Sequence, residues 1–230
     1  MLKVKINNSK TLVLLDAHAI IHRAYHALPE FLSSKGEPTG ALYGLASMLM
    51  KIIAELKPDY IVACYDLPQK TFRHEVYDGY KAGRAKTEDA LIIQLKNSRQ
   101  IFDAFDIPIY DASGFEADDV LGTIVEKYKK DKSINIIIAS GDMDTMQLVD
   151  DKKVQVYTLK KGINDTILYD EDAVVNRFHF KPKFLPDYKG LRGDPSDNII
   201  GIKGIGEKTA EILISKFGTI EEIYKKIKQD

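Results

Sequence analysis

With 230 residues, 44% of them hydrophobic and 29% charged, the chain can bury a sizeable core and has no low-complexity tract, which excludes a disordered or fibrous class. A single cysteine, Cys64, excludes a disulfide framework, and no apolar run approaches the ~20 residues needed to cross a bilayer. The formal net charge of −1 conceals an uneven distribution: nine acids fall in five groups, and the rest of the chain is net basic, a pattern suited to a polyanionic partner.

The first ten residues mix Lys and Asn with single aliphatics and show no signal-peptide apolar stretch. Together with the lone cysteine, which reads as a core residue, this points to a cytoplasmic setting. Residues 11–15 (TLVLL) are a continuous apolar run ending at Asp16 and predict a buried strand. His18, His22 and His26 recur every four residues and read as one helix face near a site, not as metal ligands. Helical spacing covers 40–55 and stops at Pro58. Residues 60–64 predict a second buried strand, ending near Asp66.

The stretch 70–86 interleaves Lys70, Arg73, His74, Lys81, Arg84 and Lys86 with Phe72, Tyr77 and Tyr80. Basic groups grip phosphates, and rings such as Tyr80 can stack on unpaired bases. Gly79 and Gly83 suggest a mobile segment that orders on DNA, although a solvated basic loop would also fit. A helix is expected over 88–105, a short strand over 107–110, a helix over 115–130 and a third buried strand over 134–139. Residues 154–157 and 166–169 read as later strands, with edge positions open to them.

Strands alternating with helices predict an α/β fold with a mostly parallel sheet and helices on both faces. In such folds functional groups collect beyond the carboxyl ends of the strands, where Asp16, Asp66 and the pair Asp142 and Asp144 stand. Glu116, Asp118 and Asp119 open a helix. Glu116 and Asp119 are placed to share a face and one metal, with Asp118 pointing elsewhere, although acids in a first turn stabilise any helix. Asp194 and Asp197 flank a proline turn, where a purely turn-forming role competes. Converging carboxylates repel unless a cation sits among them, and hard divalent ions want oxygen ligands.

From about Lys181 the pattern shifts to short helices with glycine punctuation, which suggests a catalytic domain over 1–180 and a second region over 181–230. Residues 201–210 (GIKGIGEKTA) form the most specific local motif. It is a helix-hairpin-helix, with backbone N–H groups near Gly204, Gly206 and Thr209 able to hold a phosphate, Lys203 and Lys208 beside it, and Ile205 as an anchor in the core. No nucleotide-binding P-loop motif is present in the sequence.

In this order, residues 14–18 with Arg23, 65–66, 72–75, 80–84, 114–121, 141–144 with 147–148, 193–198 and 201–210 resemble the 5′-nuclease domain of bacterial DNA polymerase I and the wider flap endonuclease family. The resemblance runs over nearly the whole chain. It implies a PIN-like α/β fold with a helical arch and a helix-hairpin-helix unit. It also implies two-metal hydrolysis of phosphodiesters in branched, nicked or flapped DNA and RNA–DNA primers, during replication and repair. All nine acids match metal-site acids of that family, which uses two Mg²⁺ or Mn²⁺ ions, and the hairpin matches one that also binds K⁺. Arg73, Lys81 and Arg84 match basic residues that neutralise the scissile phosphate.

A polymerase domain or a separate polymerase is the implied partner. This chain departs from the family at 85–89, where many relatives are proline-rich, and at Ile200, where proline is common; it also stops at Asp230, short of the family's usual C-terminal helices. Two alternatives stay open: a catalytically silent junction-binding relative, which flap cleavage with Mg²⁺ and not with EDTA would exclude, and a PIN-type ribonuclease, which preference for single-stranded RNA would support.

Overall fold

The computed structural model describes residues 9–161 and 165–229; residues 1–8, on which most of the N-terminal reading rests, lie outside them. The chain runs β1 (Lys10–Asp16), α1 (Ala17–Ala27), α2 (Gly40–Leu56), β2 (Tyr60–Cys64), α3 (Phe72–Val76), α4 (Asp89–Ala104), β3 (Ile109–Tyr110), α5 (Ala117–Tyr128) and β4 (Ile134–Ala139). A 3₁₀ turn (Met143–Leu148) leads to β5 (Val154–Lys161), β6 (Asp165–Tyr169) and α6 (Glu171–Phe178). Then come α7 (Leu185–Arg192), β7 (Gly193–Asp194), β8 (Ile199–Ile200), α8 (Glu207–Phe217) and α9 (Ile220–Ile227).

The main sheet has the order β3-β2-β1-β4-β5-β6, parallel throughout except for the antiparallel pair β5 and β6. β1 shows why residues 12–15 are apolar without interruption. Successive side chains point to opposite faces, and both faces are covered: Leu12 and Leu14 pack in one core cluster, Val13 and Leu15 in the other. The expected helices and buried strands all form, with ends shifted by a residue or two. The strand at 107–110 keeps only Ile109 and Tyr110. β5 lies inside the sheet between β4 and β6, so only β6 of the two late strands is an edge.

From β1 the chain steps to β2 on one side and later returns to β4 on the other. The crevice beyond the carboxyl ends of β1 and β4 is therefore the topological switch point, where open α/β sheets place ligands. The change of pattern near Lys181 is a change of architecture and not a gap in the core. Leu185, Tyr188, Leu191, Ala210 and Ile214 pack in the same cluster as Leu14, Ile136 and Ile138.

Candidate functional site

Three strand ends bring acids to the switch point. Asp16 closes β1 and is buried; its Oδ1 accepts from the Ala19 N–H at 3.1 Å, capping α1, and its Oδ2 accepts from Ser140 Oγ at 2.7 Å. Burial, and then the charges of Asp66 and Asp142, push its carboxyl up to about 6 against those hydrogen bonds. Asp66, just beyond β2, accepts from the Ala117 N–H at 2.7 Å, which ties it to the start of α5. Asp142 follows β4, caps the 3₁₀ turn and accepts from the Asp144 N–H at 2.8 Å.

At the start of α5 the structure reverses one expectation. Asp118 faces the acids: burial, then Asp16, Asp142, Asp66 and Asp144, push it up to about 8. Asp119 instead accepts a bidentate pair from Arg73 at 2.6 and 2.8 Å and caps the Glu116 N–H at 2.9 Å. Burial opposes ionisation of Asp119, but the Arg73 and Glu116 hydrogen bonds outweigh it and hold the carboxyl below its usual range. Helical spacing misled because Glu116 precedes the helix as its cap, so the pair three apart is used in capping while Asp118 turns to the cleft.

The basic segment lies over these acids. Lys81 Nζ donates to Glu116 Oε1 at 2.7 Å, and Arg84 Nη2 to Asp197 Oδ1 at 2.8 Å. Tyr80 is buried, and its hydroxyl bonds Glu116 at 3.0 Å and Asp197 at 3.2 Å. This corrects its reading as a base-stacking residue, since the ring is packed inside. Gly79 is corrected too: a Cβ there would meet the Tyr77 ring at 2.7 Å and Asn198 Nδ2 at 3.2 Å, so the glycine serves close packing rather than mobility. The helical part of the segment is the five residues of α3.

Sequence reasoning missed Lys189. From α7 it bridges Asp144, which it contacts directly, and Asp194, at 2.8 Å. Burial opposes its charge, but the two carboxylates prevail and hold its pKa up. Burial and Asp142 push Asp144 up against Lys189, while Lys189 and Ser196 overcome burial and hold Asp194 down. A lone lysine on a short amphipathic helix gives no sequence signal; of the two carboxylates that flank it, Asp194 is five residues on but past the end of the helix, and Asp144 comes from distant chain.

A cleft of about 690 Å³ is lined by Asp16, Asp66, Glu116, Asp118, Asp142, Asp144, Asp194 and Asp197, with Arg73, Lys81, Arg84 and Lys189 among them. Asp119 is the one expected acid outside its wall as described. Among the described residues no three of these side chains stand as a ready-made ligand cage. The donor set nonetheless fits a hard divalent cation: it is all carboxylate oxygen, and burial, with like-charge repulsion added to it, raises Asp16 and Asp118, a cost that an added cation relieves.

The hairpin follows β8, whose Ile199 lines the cleft. Ile202 O accepts from the Ile205 N–H at 2.9 Å, closing a turn with Lys203 and Gly204 at its centre. Gly204 has φ +87, which the third position of such a turn requires. Ile205 packs on the core as expected. Gly206 caps α8, and Lys203, Gly204, Gly206, Lys208 and Thr209 are all exposed. The outward N–H groups of this helix start can meet an anion.

Among the described residues no helix is long and apolar enough to cross a membrane. The family model for the N-terminal resolvase-like domain of 5′-3′ exonucleases matches residues 11–179, and that for their C-terminal SAM fold matches residues 180–230. DNA polymerase I of Bacillus subtilis is 39% identical over 218 residues, covering 95% of this chain and 24% of the relative. DNA polymerase I of Caldicellulosiruptor bescii is 40% identical, covering 94% and 25%. The chain thus spans about a quarter of the length of these polymerases. A 5′-3′ exonuclease of Aquifex aeolicus is 37% identical over 216 residues, covering 94% of this chain and 73% of its own. Among solved structures, T5 5′-exonuclease with bound zinc superposes with a TM-score of 0.74 at 23% identity, covering 94% of this chain and 79% of that one. A T5 flap endonuclease in a pseudo-enzyme-product complex with DNA and metal ions gives 0.73 at 22%, covering 94% and 78%. These two likenesses establish the fold.

Proposed function

The chain belongs to the 5′-3′ exonuclease family, and on that premise we propose that it is a structure-specific 5′ nuclease, hydrolysing DNA phosphodiesters at 5′ ends and 5′ flaps with two divalent ions. The observation that carries this reading is the carboxylate cleft at the switch point, interleaved with four basic side chains and followed, just beyond Ile199 of its wall, by an exposed hairpin. Asp16, Asp66, Glu116, Asp118, Asp142 and Asp144 would hold the tighter-bound ion, with Asp118 in the place that helical spacing gave to Asp119. Asp194 and Asp197, on their turn, would serve the second. Bound Mg²⁺ or Mn²⁺ would supply Lewis acidity and a more acidic water.

The chain's own groups do the rest. Arg73, Lys81 and Arg84 provide positive charge beside the acids, where a scissile phosphate needs it. Lys203, Lys208 and the backbone at Gly204, Gly206 and Thr209 would hold the duplex backbone without reading sequence. K⁺ at the hairpin, RNA–DNA primers as substrates, a polymerase partner and a cytoplasmic setting complete the reading, as does a division into a nuclease domain (1–180) and a hairpin region (181–230). The two family models meet close to that division.

A 5′-labelled flap substrate tests the proposal. Cleavage at the junction with Mg²⁺, abolished by EDTA, is the expected result, and product length separates endonucleolytic from exonucleolytic action. An intact flap under Mg²⁺ at enzyme excess would refute it.

A further inference from the structure

The basic segment is fastened to the turn after β7 by contacts that neither metal binding nor the hairpin requires. Asn198 adopts φ 58 and ψ 31, in the left-handed region that Asn tolerates better than most residues. From there its Nδ2 donates to the Gly79 carbonyl at 2.8 Å, and its own carbonyl accepts from Tyr77 Oη at 3.0 Å. Just before Asn198 on the same turn, the Asp197 carbonyl accepts from the Lys81 N–H and the Ser196 carbonyl from Arg84 Nε, both at 3.1 Å. Lys81 has φ 58, a conformation that side-chain-bearing residues seldom adopt and that persists only where neighbours hold it. Gly79 is packed so closely against Tyr77 and Asn198 that any side chain would part them.

We propose that Asn198 is a positioning residue. It clamps the base of the basic segment so that Lys81 and Arg84 stay over the carboxylate cleft, and it links that segment through β8 to the hairpin that starts at Gly201. The chemistry of the residue suits both contacts. Its neutral amide donates to a carbonyl, where an aspartate would set charge against the Gly79 oxygen. The clamp stands on geometry alone, while its catalytic consequence rests on the nuclease reading above.

Two measurements decide it. The first is limited trypsinolysis of the native protein without DNA. Lys81 and Arg84 lie within the fastened stretch, whereas Lys86 beyond it is 88% exposed and serves as an internal control. Losing the part-buried hydrogen bond from Asn198 to Gly79 shifts a local opening equilibrium by up to roughly tenfold. Asn198→Asp and Asn198→Gly are therefore expected to speed cleavage after Lys81 and Arg84 by about that factor and leave cleavage after Lys86 unchanged. The second is flap cleavage under single turnover. The rate at saturating DNA should fall roughly tenfold while the Kd for the same DNA stays within about twofold. Adding Asn198→Asp to Lys81→Ala should then cost far less than it does in the wild-type background.

Equal trypsinolysis at Lys81 and Arg84 in the variants and the wild type would overturn the clamp, as would uniform acceleration at all three sites, which signals general destabilisation. Full additivity with Lys81→Ala would overturn the positioning role. A wild-type protein that leaves flaps intact refutes the nuclease reading instead, and the trypsin result still decides the clamp.

Discussion

Replacing Asp118 with Asn should stabilise the metal-free protein at neutral and alkaline pH and remove most of its response to divalent ions. Burial and four neighbouring carboxylates push Asp118 up to about 8 from an ordinary 3.8. The folded protein thus holds this proton more tightly than the unfolded chain does. Its contribution to stability is intact below about pH 4 and is lost as pH rises through about 8. The gap between 3.8 and pH 7 corresponds to about 4 kcal/mol, at about 1.4 kcal/mol for each pH unit. Asn has no charge to hold, so the variant escapes that cost. For a chain of this length 4 kcal/mol is worth roughly 8 °C in Tm. Thermal unfolding in EDTA at pH 4, 7 and 8 measures it. The gain should be near zero at pH 4 and largest at pH 8, and Mg²⁺ should raise the wild-type Tm more than that of the variant. A variant no more stable than the wild type at pH 8, or a gain independent of pH, would refute the reasoning.

Two further substitutions test other parts of the site. Lys189→Ala leaves Asp144 and Asp194 without their shared cation, and urea unfolding in EDTA should show a loss of about 2 kcal/mol. Part of that loss should return with Mg²⁺, and an unchanged midpoint would count against the bridge. Lys203→Ala should weaken binding to nicked duplex irrespective of sequence and lower the slope of log K against log salt by about one. An unchanged slope would place Lys203 off the phosphate backbone.

The main sheet was legible because its central strands are buried on both faces, so residues 12–15 of β1 and 136–139 of β4 appear as apolar runs with acids at or just past the strand ends. The convergence of Asp16, Asp66 and Asp142 followed from that topology. Side-chain direction at the α5 start was not legible, because Glu116 is a cap and not a helical residue, and the spacing rule does not reach across that boundary. Tyr80 misled for a different reason: an aromatic among basic residues looks the same in sequence whether its ring meets a base or fills a core. The four cations paired with the acids are a tertiary property. Lys189 in particular is held by one carboxylate five residues on, Asp194, and by one far along the chain, Asp144.

The two sides of the cleft differ in mechanical stiffness. Asp16 and its neighbours leave strands locked in register, with Asp16 opposite Cys64 and Leu15 opposite Ala139. Shifting one such acid relative to another means breaking a row of backbone hydrogen bonds in the middle of the sheet. Asp194 and Asp197 ride on a short turn held by side chains and by two-residue strands. The sheet side therefore acts as a fixed jaw and the turn side as a compliant one. On the nuclease reading, a change in the size of a bound ion, or in the width of nucleic acid beside it, would be taken up at the turn, and the basic segment fastened to that turn would move with it.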